Sequence, residues 1–297
     1  MDILDKFIEK AKESIAEGYY DVQAIRHREA GGGRLESGTV RGRVSGVGRQ
    51  ESETARHQVS GVGHRAAGFG RASLKDKLLG GFSLIAEIKH ASPAGEYSFD
   101  NIDVAETAET FKQYGADAIS VVVEPKIFKG NLNNISIAKK TGLPVLFKDF
   151  IIKEQQIEAA RAVGADAILL VIKVADRCNL DLDALIGFAH KQGLEVVLES
   201  YDANEMKRAM ATDADIIGIN NRDLRTLKVD LNRTKDIMTA DARNQKPVIS
   251  ESGIKTAADV RFVRKAGVNG ILVGTAIWTA PDLKAKIKEL KNGAKND

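Results

Sequence analysis

The segment Pro144-Val-Leu-Phe-Lys-Asp-Phe150 decides how the rest of the chain is interpreted. Its apolar, partly β-branched residues predict a buried strand, and a lysine and an aspartate stand where that strand ends. Burial disfavours the charged form of an amine, so we expect the pKa of Lys148 to fall towards the range useful for proton transfer. Lys148 is therefore a candidate general acid; the alternative is a snorkelling lysine paired with Asp149.

The same pattern, a short apolar strand that ends in polar residues, recurs along the chain. The eight predicted strands are residues 84–89, 118–124, 144–148, 167–173, 195–199, 216–219, 247–250 and 270–273. Steps of roughly 21 to 34 residues from strand to strand leave room for one helix each. This repetition predicts an α/β fold, a closed (β/α)8 TIM barrel of parallel strands. A doubly wound open sheet is the alternative, although no Gly-rich fingerprint follows the first strand.

The chain before the barrel divides into two parts. Apolar residues at helical spacing predict an amphipathic helix from residue 2 to about residue 17, within an N-terminal helical extension of residues 1–26. Residues 27–72 are rich in Gly, Arg and Ser and lack any apolar period, which predicts a disordered, low-complexity insertion. Three histidines of this insertion have no cysteine partners, so we predict no metal site there. The catalytic barrel domain then occupies residues 73–297.

Composition places the chain among soluble globular proteins, with 43% hydrophobic and 29% charged residues. No apolar run reaches the roughly 18 residues of a membrane span, and the N-terminus lacks a secretory pattern, so we expect a cytoplasmic protein without a membrane partner. The single cysteine, Cys178, agrees with a reducing compartment, and we interpret it as a structural residue where a helix starts. The net charge of +3 is concentrated between residues 26 and 71, so the barrel itself is not predicted to bind nucleic acid.

Polar residues at the strand ends should meet, because the active site of such a barrel lies at the C-terminal ends of its strands. Reading those ends in order gives Glu87, Lys89, Ser92, Glu124, Lys148, Asp149, Lys173, Glu199, Asn220, Asn221, Arg222, Asp223, Glu251, Ser252, Gly253, Gly274 and Thr275. The two lysines Lys89 and Lys148, with the carboxylates of Glu87, Glu199 and Glu251, could donate and accept protons. A purely structural ion-pair network is the alternative.

Two further groups of residues at these predicted strand ends favour anionic ligands. Small residues after the seventh and eighth strands would let backbone N–H groups approach a phosphate, although ordinary turns also use glycine there. Arg222 offers a planar fork suited to a carboxylate, with Asn220 and Asn221 as hydrogen-bonding neighbours, and a structural Arg–Asp pair is the alternative.

Several of these motifs together resemble the signature segments of the indole-3-glycerol-phosphate synthase family. The segments are Ile85-Ala-Glu-Ile-Lys-His-Ala-Ser-Pro93, Glu124-Pro-Lys126, Phe147-Lys-Asp-Phe-Ile-Ile152, Gly164-Ala-Asp-Ala-Ile-Leu-Leu170, Ile217-Gly-Ile-Asn-Asn-Arg-Asp-Leu224, Ser250-Glu-Ser-Gly-Ile254 and Leu272-Val-Gly274. The resemblance covers about residues 80–292 and departs from the family at Val123 and Ala94, where threonine and serine are usual. Neither departure removes a proton-transfer group.

The resemblance implies a carboxy-lyase of tryptophan biosynthesis that needs no metal, nucleotide or flavin. Its substrate would be 1-(2-carboxyphenylamino)-1-deoxyribulose 5-phosphate, converted to indole-3-glycerol phosphate with loss of carbon dioxide and water. The implied catalytic residues are Lys148, Glu199, Lys89, Glu87, Asn220, Glu251 and Ser252. The implied substrate-binding residues are Ser92, Arg222, Phe128, Phe150, Leu169, Gly253, Gly274 and Thr275.

Within that set the resemblance also implies individual roles. Lys148 is the general acid, Glu199 is the second acid/base group, and Arg222 lies near the aromatic carboxylate. The backbone after the seventh and eighth strands, with Ser92 nearby, holds the phosphate, while the apolar residues pack on the anthranilate ring. Whether Lys89 or Glu199 is the acid during dehydration is left open.

Two other classes of function remain possible at this stage. A barrel that isomerises phosphoribosyl intermediates would share the phosphate end but need not carry Lys89, Lys148 and Glu199. A non-enzymatic protein could use its Gly/Arg segment to contact RNA, and salt-dependent RNA binding would identify it. We expect the enzyme, acting on a small phosphorylated molecule as a monomer or weak homo-oligomer.

Overall fold

A computed structural model describes residues 2–30, 72–238 and 246–295 of the chain. Eight parallel strands, in sequence order, form a closed barrel in which β1 pairs with both β2 and β8. The strands are β1 Ser83–Ile88, β2 Ala118–Val122, β3 Val145–Lys148, β4 Ala167–Val171, β5 Glu195–Ser200, β6 Ile216–Asn220, β7 Val248–Glu251 and β8 Gly270–Val273. The predicted TIM barrel is therefore confirmed.

Helices precede the barrel and connect its strands. In chain order they are α1 Ile3–Ala16, α2 Val22–Ala30, α3 Leu74–Leu79, α4 Val104–Tyr114, α5 Asn133–Lys139, α6 Glu154–Ala162, α7 Ile172–Cys178, α8 Leu182–Lys191, α9 Ala203–Ala211, α10 Asn232–Ile237, α11 Ala257–Ala266, α12 Thr275–Trp278 and α13 Leu283–Gly293. Aspartate side chains cap several of them: Asp103, Asp181 and Asp202 each accept a hydrogen bond from a backbone N–H of the first turn. These caps fix where each helix begins after its strand.

The alternation of side chains along each strand divides the core into two layers. In β1, Leu84 and Ala86 pack between the strand and the surrounding helices, whereas Ile85 packs inside the barrel. Because side chains two residues apart point to the same face, Glu87 also lies inside the barrel, above Ile85. The same rule directs Lys148 inwards above Leu146. The strand pattern thus brings the charged residues together.

The fourth strand is shorter than the sequence predicts. It ends at Val171, and α7 begins directly at Ile172, so Lys173 is helical rather than at a strand end. Its Nζ lies 3.6 Å from the centroid of the Tyr201 ring. Cys178 is the last residue of α7, so its predicted place at a helix start is also wrong. Both errors arise because the apolar run continues from strand into helix, and periodicity alone does not separate the two.

Helix α3 closes the amino end of the barrel. The side chain of Glu195, the first residue of β5, accepts hydrogen bonds from Ser73 Oγ at 2.5 Å and from the backbone N–H of Leu74 at 2.9 Å. Leu78 packs into the barrel interior beside Gly270, where a Cβ atom would lie 2.7 Å from the Leu78 side chain. The same Cβ atom would lie 2.7 Å from the carbonyl oxygen of Ser83, so a glycine is required at this contact.

The N-terminal extension forms two helices, α1 and α2, and α2 continues beyond residue 26 to Ala30. Tyr20, between them, is fully buried, and its hydroxyl donates a hydrogen bond to Asp149 Oδ2 at 2.6 Å. The rest of the predicted insertion, residues 31–71, lies outside the described residues. Within the described ranges, no helix combines the length and apolar character needed to cross a bilayer.

Replacing Tyr20 by Phe should destabilise the fold by about 1–3 kcal/mol at pH 7, because it leaves the buried Asp149 carboxylate without that donor. Burial raises the pKa of Asp149 to about 6, against the effect of the Tyr20 hydroxyl. Below pH 6 the Asp149 carboxyl group of the folded protein is therefore protonated. The destabilisation caused by Tyr20→Phe should then shrink as the pH falls towards 5. Denaturant unfolding at pH 7 and pH 5 measures both effects.

The matched control is Tyr114→Phe, which removes a hydroxyl from a half-buried tyrosine of α4. It should change the free energy of unfolding by less than about 0.5 kcal/mol. Equal losses in the two variants would contradict the importance of the bond from Tyr20 to Asp149.

Candidate active site

The carboxyl ends of all eight strands open into a cavity of about 1000 Å³. The residues proposed from the sequence that line it are Glu87, Lys89, Glu124, Phe128, Lys148, Asp149, Phe150, Leu169, Glu199, Asn220, Arg222, Ser252, Gly253, Gly274 and Thr275. Two others lie at its boundary. Glu251 is buried beneath Lys148, and Ser92 is hydrogen-bonded to Glu96, which itself lines the cavity.

A row of charges of alternating sign crosses the floor of this cavity. Lys148 Nζ lies 2.9 Å from Glu251 Oε2 and 2.9 Å from Glu87 Oε2. The other oxygen of Glu87 lies 3.0 Å from Lys89 Nζ. The carboxylates come from β1 and β7 and the central lysine from β3, so only closure of the barrel brings them together. Lys148 thus pairs with Glu87 and Glu251, not with Asp149.

Two glycines make room for these carboxylates because they have no side chain. A Cβ atom at Gly218 of β6 would lie 2.5 Å from Glu251 Oε1. A Cβ atom at Gly274, after β8, would lie 2.5 Å from Glu87 Oε1. Both separations are far below van der Waals contact, so any larger residue would displace a carboxylate. Gly274, proposed for phosphate binding, therefore also shapes the charged floor.

The pKa of Lys148 does not fall as the sequence predicts. Burial by itself lowers it, but the nearby carboxylates of Glu251 and Glu87 outweigh burial and raise the pKa above its ordinary value. The prediction is wrong because both carboxylates come from distant parts of the sequence. At neutral pH Lys148 is an ammonium ion held between two anions.

The carboxyl groups of Glu87 and Glu199 differ widely in pKa. Burial would raise the pKa of Glu87, but Lys148 and Lys89 hold it at about 2. Burial and the charge of Glu251 raise the pKa of Glu199 to about 8, although Lys148 and a hydrogen bond from Asn220 act in the opposite direction. Glu87 is therefore a permanent counter-ion, whereas Glu199 can gain and lose a proton near neutral pH.

An aromatic cluster forms one wall of the cavity. The rings of Phe7 and Phe150 are stacked, with centroids 4.7 Å apart and planes inclined by 19°. Phe128 lies 5.8 Å from Phe7 and 6.3 Å from Phe150. Phe7 belongs to α1, so the N-terminal extension covers the mouth of the barrel and supplies part of its lining. A flat apolar ring would fit against this wall.

Other strand-end residues hold the loops in place. Glu124 accepts hydrogen bonds from the backbone N–H groups of Ile127 at 2.7 Å and Phe128 at 3.0 Å. The Asn221 amide donates to Ser250 Oγ at 3.0 Å and to the carbonyl oxygen of Ser252 at 3.1 Å. Glu124 thereby positions the aromatic wall, and Asn221 ties the loop after β6 to the loop after β7.

The two loops proposed to hold a phosphate meet at one side of the cavity. Ser252 has φ of 68° and Gly253 has φ of 81°, so two consecutive residues after β7 are left-handed. Such a conformation is uncommon for serine and concentrates at functional sites. Thr275, the first residue of α12, lines the cavity beside them.

Arg222 lies in the loop after β6, which neighbours the loop after β7. Its backbone N–H donates to Asn220 Oδ1 at 2.9 Å, and its Nη1 donates to the carbonyl oxygen of Leu227 at 3.3 Å. The Asn220 side chain also bonds Glu199, so this asparagine links the arginine loop to the acid of β5. The guanidinium group thus lines the cavity in a fixed orientation.

Several residues of the site were not found by sequence analysis. Phe7 was visible only as part of an apolar helical stripe, which does not reveal what the helix covers. Tyr20 and Glu96 carried no motif at all, and their contacts link positions far apart in the sequence or across the mouth of the barrel. Over the three described ranges, no group of three or more His, Cys, Asp or Glu side chains is arranged to hold a metal ion.

The barrel and the ionisable cluster at the carboxyl ends of its strands define a (β/α)8-barrel enzyme. Residues 48–290 match the family model for indole-3-glycerol phosphate synthase. The chain belongs to the indole-3-glycerol phosphate synthase family.

Curated relatives agree with that assignment, and a solved structure shares the fold. Indole-3-glycerol phosphate synthase of Roseiflexus sp. (strain RS-1) is 39% identical over 220 residues, which are 71% of this chain and 81% of the relative. The protein of the same name from Oceanobacillus iheyensis is 42% identical over 211 residues, 70% of this chain and 80% of the relative. Thiamine phosphate pyrophosphorylase from Pyrococcus furiosus covers 75% of this chain and 98% of its own, with a TM-score of 0.55 and 20% identity, which shows the fold alone.

Gly274→Ala should lower kcat about 10- to 100-fold, because the added methyl group displaces Glu87 and misplaces the lysines paired with it. Steady-state kinetics and circular dichroism measure the effect and check the fold. Gly187→Ala in α8, where nothing lies within 4 Å of the new methyl group, is the control and should leave kcat unchanged. A Gly274→Ala variant with normal kcat and only a raised KM would mean that Gly274 serves the phosphate site alone.

Proposed function

We propose that the chain converts 1-(2-carboxyphenylamino)-1-deoxyribulose 5-phosphate to indole-3-glycerol phosphate, releasing carbon dioxide and water. Family membership supports this reaction. The observation that carries it is the partly buried Lys148 ammonium, which is held between Glu87 and Glu251 on the floor of a cavity with an aromatic wall. Ring closure of an aromatic substrate needs such a positioned proton donor in an apolar surrounding.

In the first step, the ring carbon that bears the carboxylate attacks the ketone carbon of the ribulose chain. Lys148 donates a proton to the ketone oxygen, so a carbon–carbon bond forms and the carbonyl becomes a hydroxyl. Its raised pKa keeps Lys148 protonated before the step. Glu87 and Glu251 fix the ammonium group in place, and Glu87, with a pKa of about 2, remains ionised beside it.

Loss of carbon dioxide then returns electrons to the ring and restores its aromaticity. In the last step the new hydroxyl leaves as water while the neighbouring carbon loses a proton. We assign Lys89 as the acid for the leaving hydroxyl and Glu199 as the base for the carbon-bound proton. Glu199 suits this role because its pKa of about 8 lies close to the working pH, whereas Glu87 is too weakly basic.

The two ends of the substrate would be held by different chemistry. Its phosphate would bind where the loops after β7 and β8 meet, at Ser252, Gly253, Gly274 and Thr275, with Ser92 nearby. Its aromatic ring would pack on the wall formed by Phe7, Phe128 and Phe150, with Leu169 beneath, and its carboxylate would approach Arg222. Anchoring both ends would hold the reacting carbons together.

The other expectations from the sequence remain proposals. We propose a cytoplasmic enzyme that acts as a monomer or weak homo-oligomer, without a nucleic-acid partner. The division into an N-terminal extension, an insertion and a barrel domain is proposed on the same basis.

Incubating the protein with the substrate should release indole-3-glycerol phosphate, detected by its indole fluorescence. Lys148→Met should lower kcat by about 10²- to 10⁴-fold, since the variant keeps an unbranched side chain but loses the proton donor. Lys153→Met, an exposed lysine just before α6, is the matched control and should retain full activity. No product from the unaltered protein would contradict the proposed reaction, and a fully active Lys148→Met variant would contradict the role of Lys148.

If Glu199 is the base, kcat/KM should increase as the pH rises through about 8, because only the ionised carboxylate accepts a proton. Glu199→Gln should lose this rise together with most of the activity. The exposed Glu158→Gln variant on α6 should keep the profile of the unaltered protein. A rate that falls as the pH rises through 8 would instead identify Glu199 as the acid.

A further inference from the structure

The loop after β1 folds over the mouth of the barrel. Ala91 and Ser98 pair as an isolated antiparallel bridge, and the backbone N–H of Ser92 donates to the carbonyl oxygen of Tyr97 at 3.0 Å. These bonds bring Glu96 to the cavity, which it lines together with Pro93 and Ala94 of the same loop. The loop therefore presents a carboxylate to the site.

That carboxylate contacts two groups proposed to bind the substrate. Glu96 Oε2 accepts a hydrogen bond from the Ser92 hydroxyl, and Glu96 Oε1 lies 3.9 Å from Arg222 Nη2. Ser92 belongs to the loop after β1 and Arg222 to the loop after β6, so Glu96 connects the loops of two strands that are not neighbours. It lies where an anionic group of the substrate would arrive.

The contact with Arg222 is loose enough to be exchanged. Charge-assisted bonds between guanidinium and carboxylate groups are usually 2.7–2.9 Å long, well short of the 3.9 Å seen here. The Glu96 side chain is 37% exposed, whereas that of Arg222 is only 16% exposed and is further held by Leu227. Glu96 can therefore withdraw into water while Arg222 stays in place.

We propose that Glu96 competes with the carboxylate of the substrate for Arg222 and thereby sets how strongly the site prefers carboxylated over uncarboxylated ligands. This inference rests on the proposed function, in which Arg222 receives that carboxylate. The substrate has to displace Glu96 to bind. Once carbon dioxide has left, Arg222 has lost its anion, and Glu96 returns to it. The exchange weakens substrate binding and leaves binding of the product, which lacks the carboxylate, nearly unchanged.

The test compares two non-reacting ligands by isothermal titration calorimetry. One is the substrate with its ketone reduced to an alcohol, and the other is the same compound without the aromatic carboxylate. Glu96→Gln should tighten binding of the carboxylated ligand about two- to fivefold, the range expected for a partly exposed ion pair. It should leave the uncarboxylated ligand within about 1.5-fold, so the ratio of the two dissociation constants changes.

Asp100→Asn is the matched control. It removes the same charge nearby in the sequence, but Asp100 is exposed and pairs with Lys129 at 2.8 Å. This variant should leave the ratio of dissociation constants unchanged. If Asp100→Asn changes the ratio as much as Glu96→Gln does, the effect is one of general charge and the proposal is overturned.

A second comparison assigns the effect to Arg222. In an Arg222→Ala background, adding Glu96→Gln should no longer change the ratio, and a change that persists there would overturn the proposal. The single Glu96→Gln variant could leave the ratio of dissociation constants unchanged while the unaltered protein converts the substrate normally. That result would overturn the proposal for Glu96 but not the proposed function. Failure of the unaltered protein to convert the substrate would instead overturn the proposed function.

Discussion

The structure of the site depends on one partly buried lysine, Lys148, held between two carboxylates. Glu87 and Glu251 are buried, and a buried carboxylate without a partner is strongly destabilising, so both require Lys148. The three residues come from β3, β1 and β7, and they can meet only inside a closed barrel. Gly218 and Gly274 then become necessary, because a side chain at either position would occupy the space of a carboxylate oxygen. Such a network contributes little net stability and instead fixes a single arrangement of charges.

The same network gives neighbouring groups different acid–base properties. Two lysines keep Glu87 ionised, with a pKa of about 2, and two carboxylates keep Lys148 protonated. For Glu199, burial and the charge of Glu251 outweigh the charge of Lys148 and raise its pKa to about 8. One cavity thus holds a fixed ammonium donor and a carboxyl group that titrates near neutral pH. A reaction with separate protonation and deprotonation steps needs both.

Much of the fold followed from sequence because its signals are local. Short apolar strands at regular steps predicted the barrel, and the place of active sites at the carboxyl ends of barrel strands predicted that the polar strand ends would meet. Contacts between distant segments could not be predicted in this way. The direction of the Lys148 pKa shift was wrong because its partners lie far away in the chain, and the cover that Phe7 provides depends on where α1 docks. Lys173 was misplaced because a buried strand and a buried helix look alike.

The central claim is that Lys148 is charged because Glu87 and Glu251 surround it. Nitrogen NMR of the Lys148 Nζ atom tests this directly, with the resonance assigned by its loss in Lys148→Met. The account predicts that Lys148 is still fully an ammonium at a pH of about 10.4, where a free lysine is half deprotonated. It also predicts that Glu87→Gln lowers the pKa of Lys148, because one of the two carboxylates that oppose the effect of burial is then removed. A Lys148 that loses its proton well below pH 10 in the unaltered protein would contradict the account.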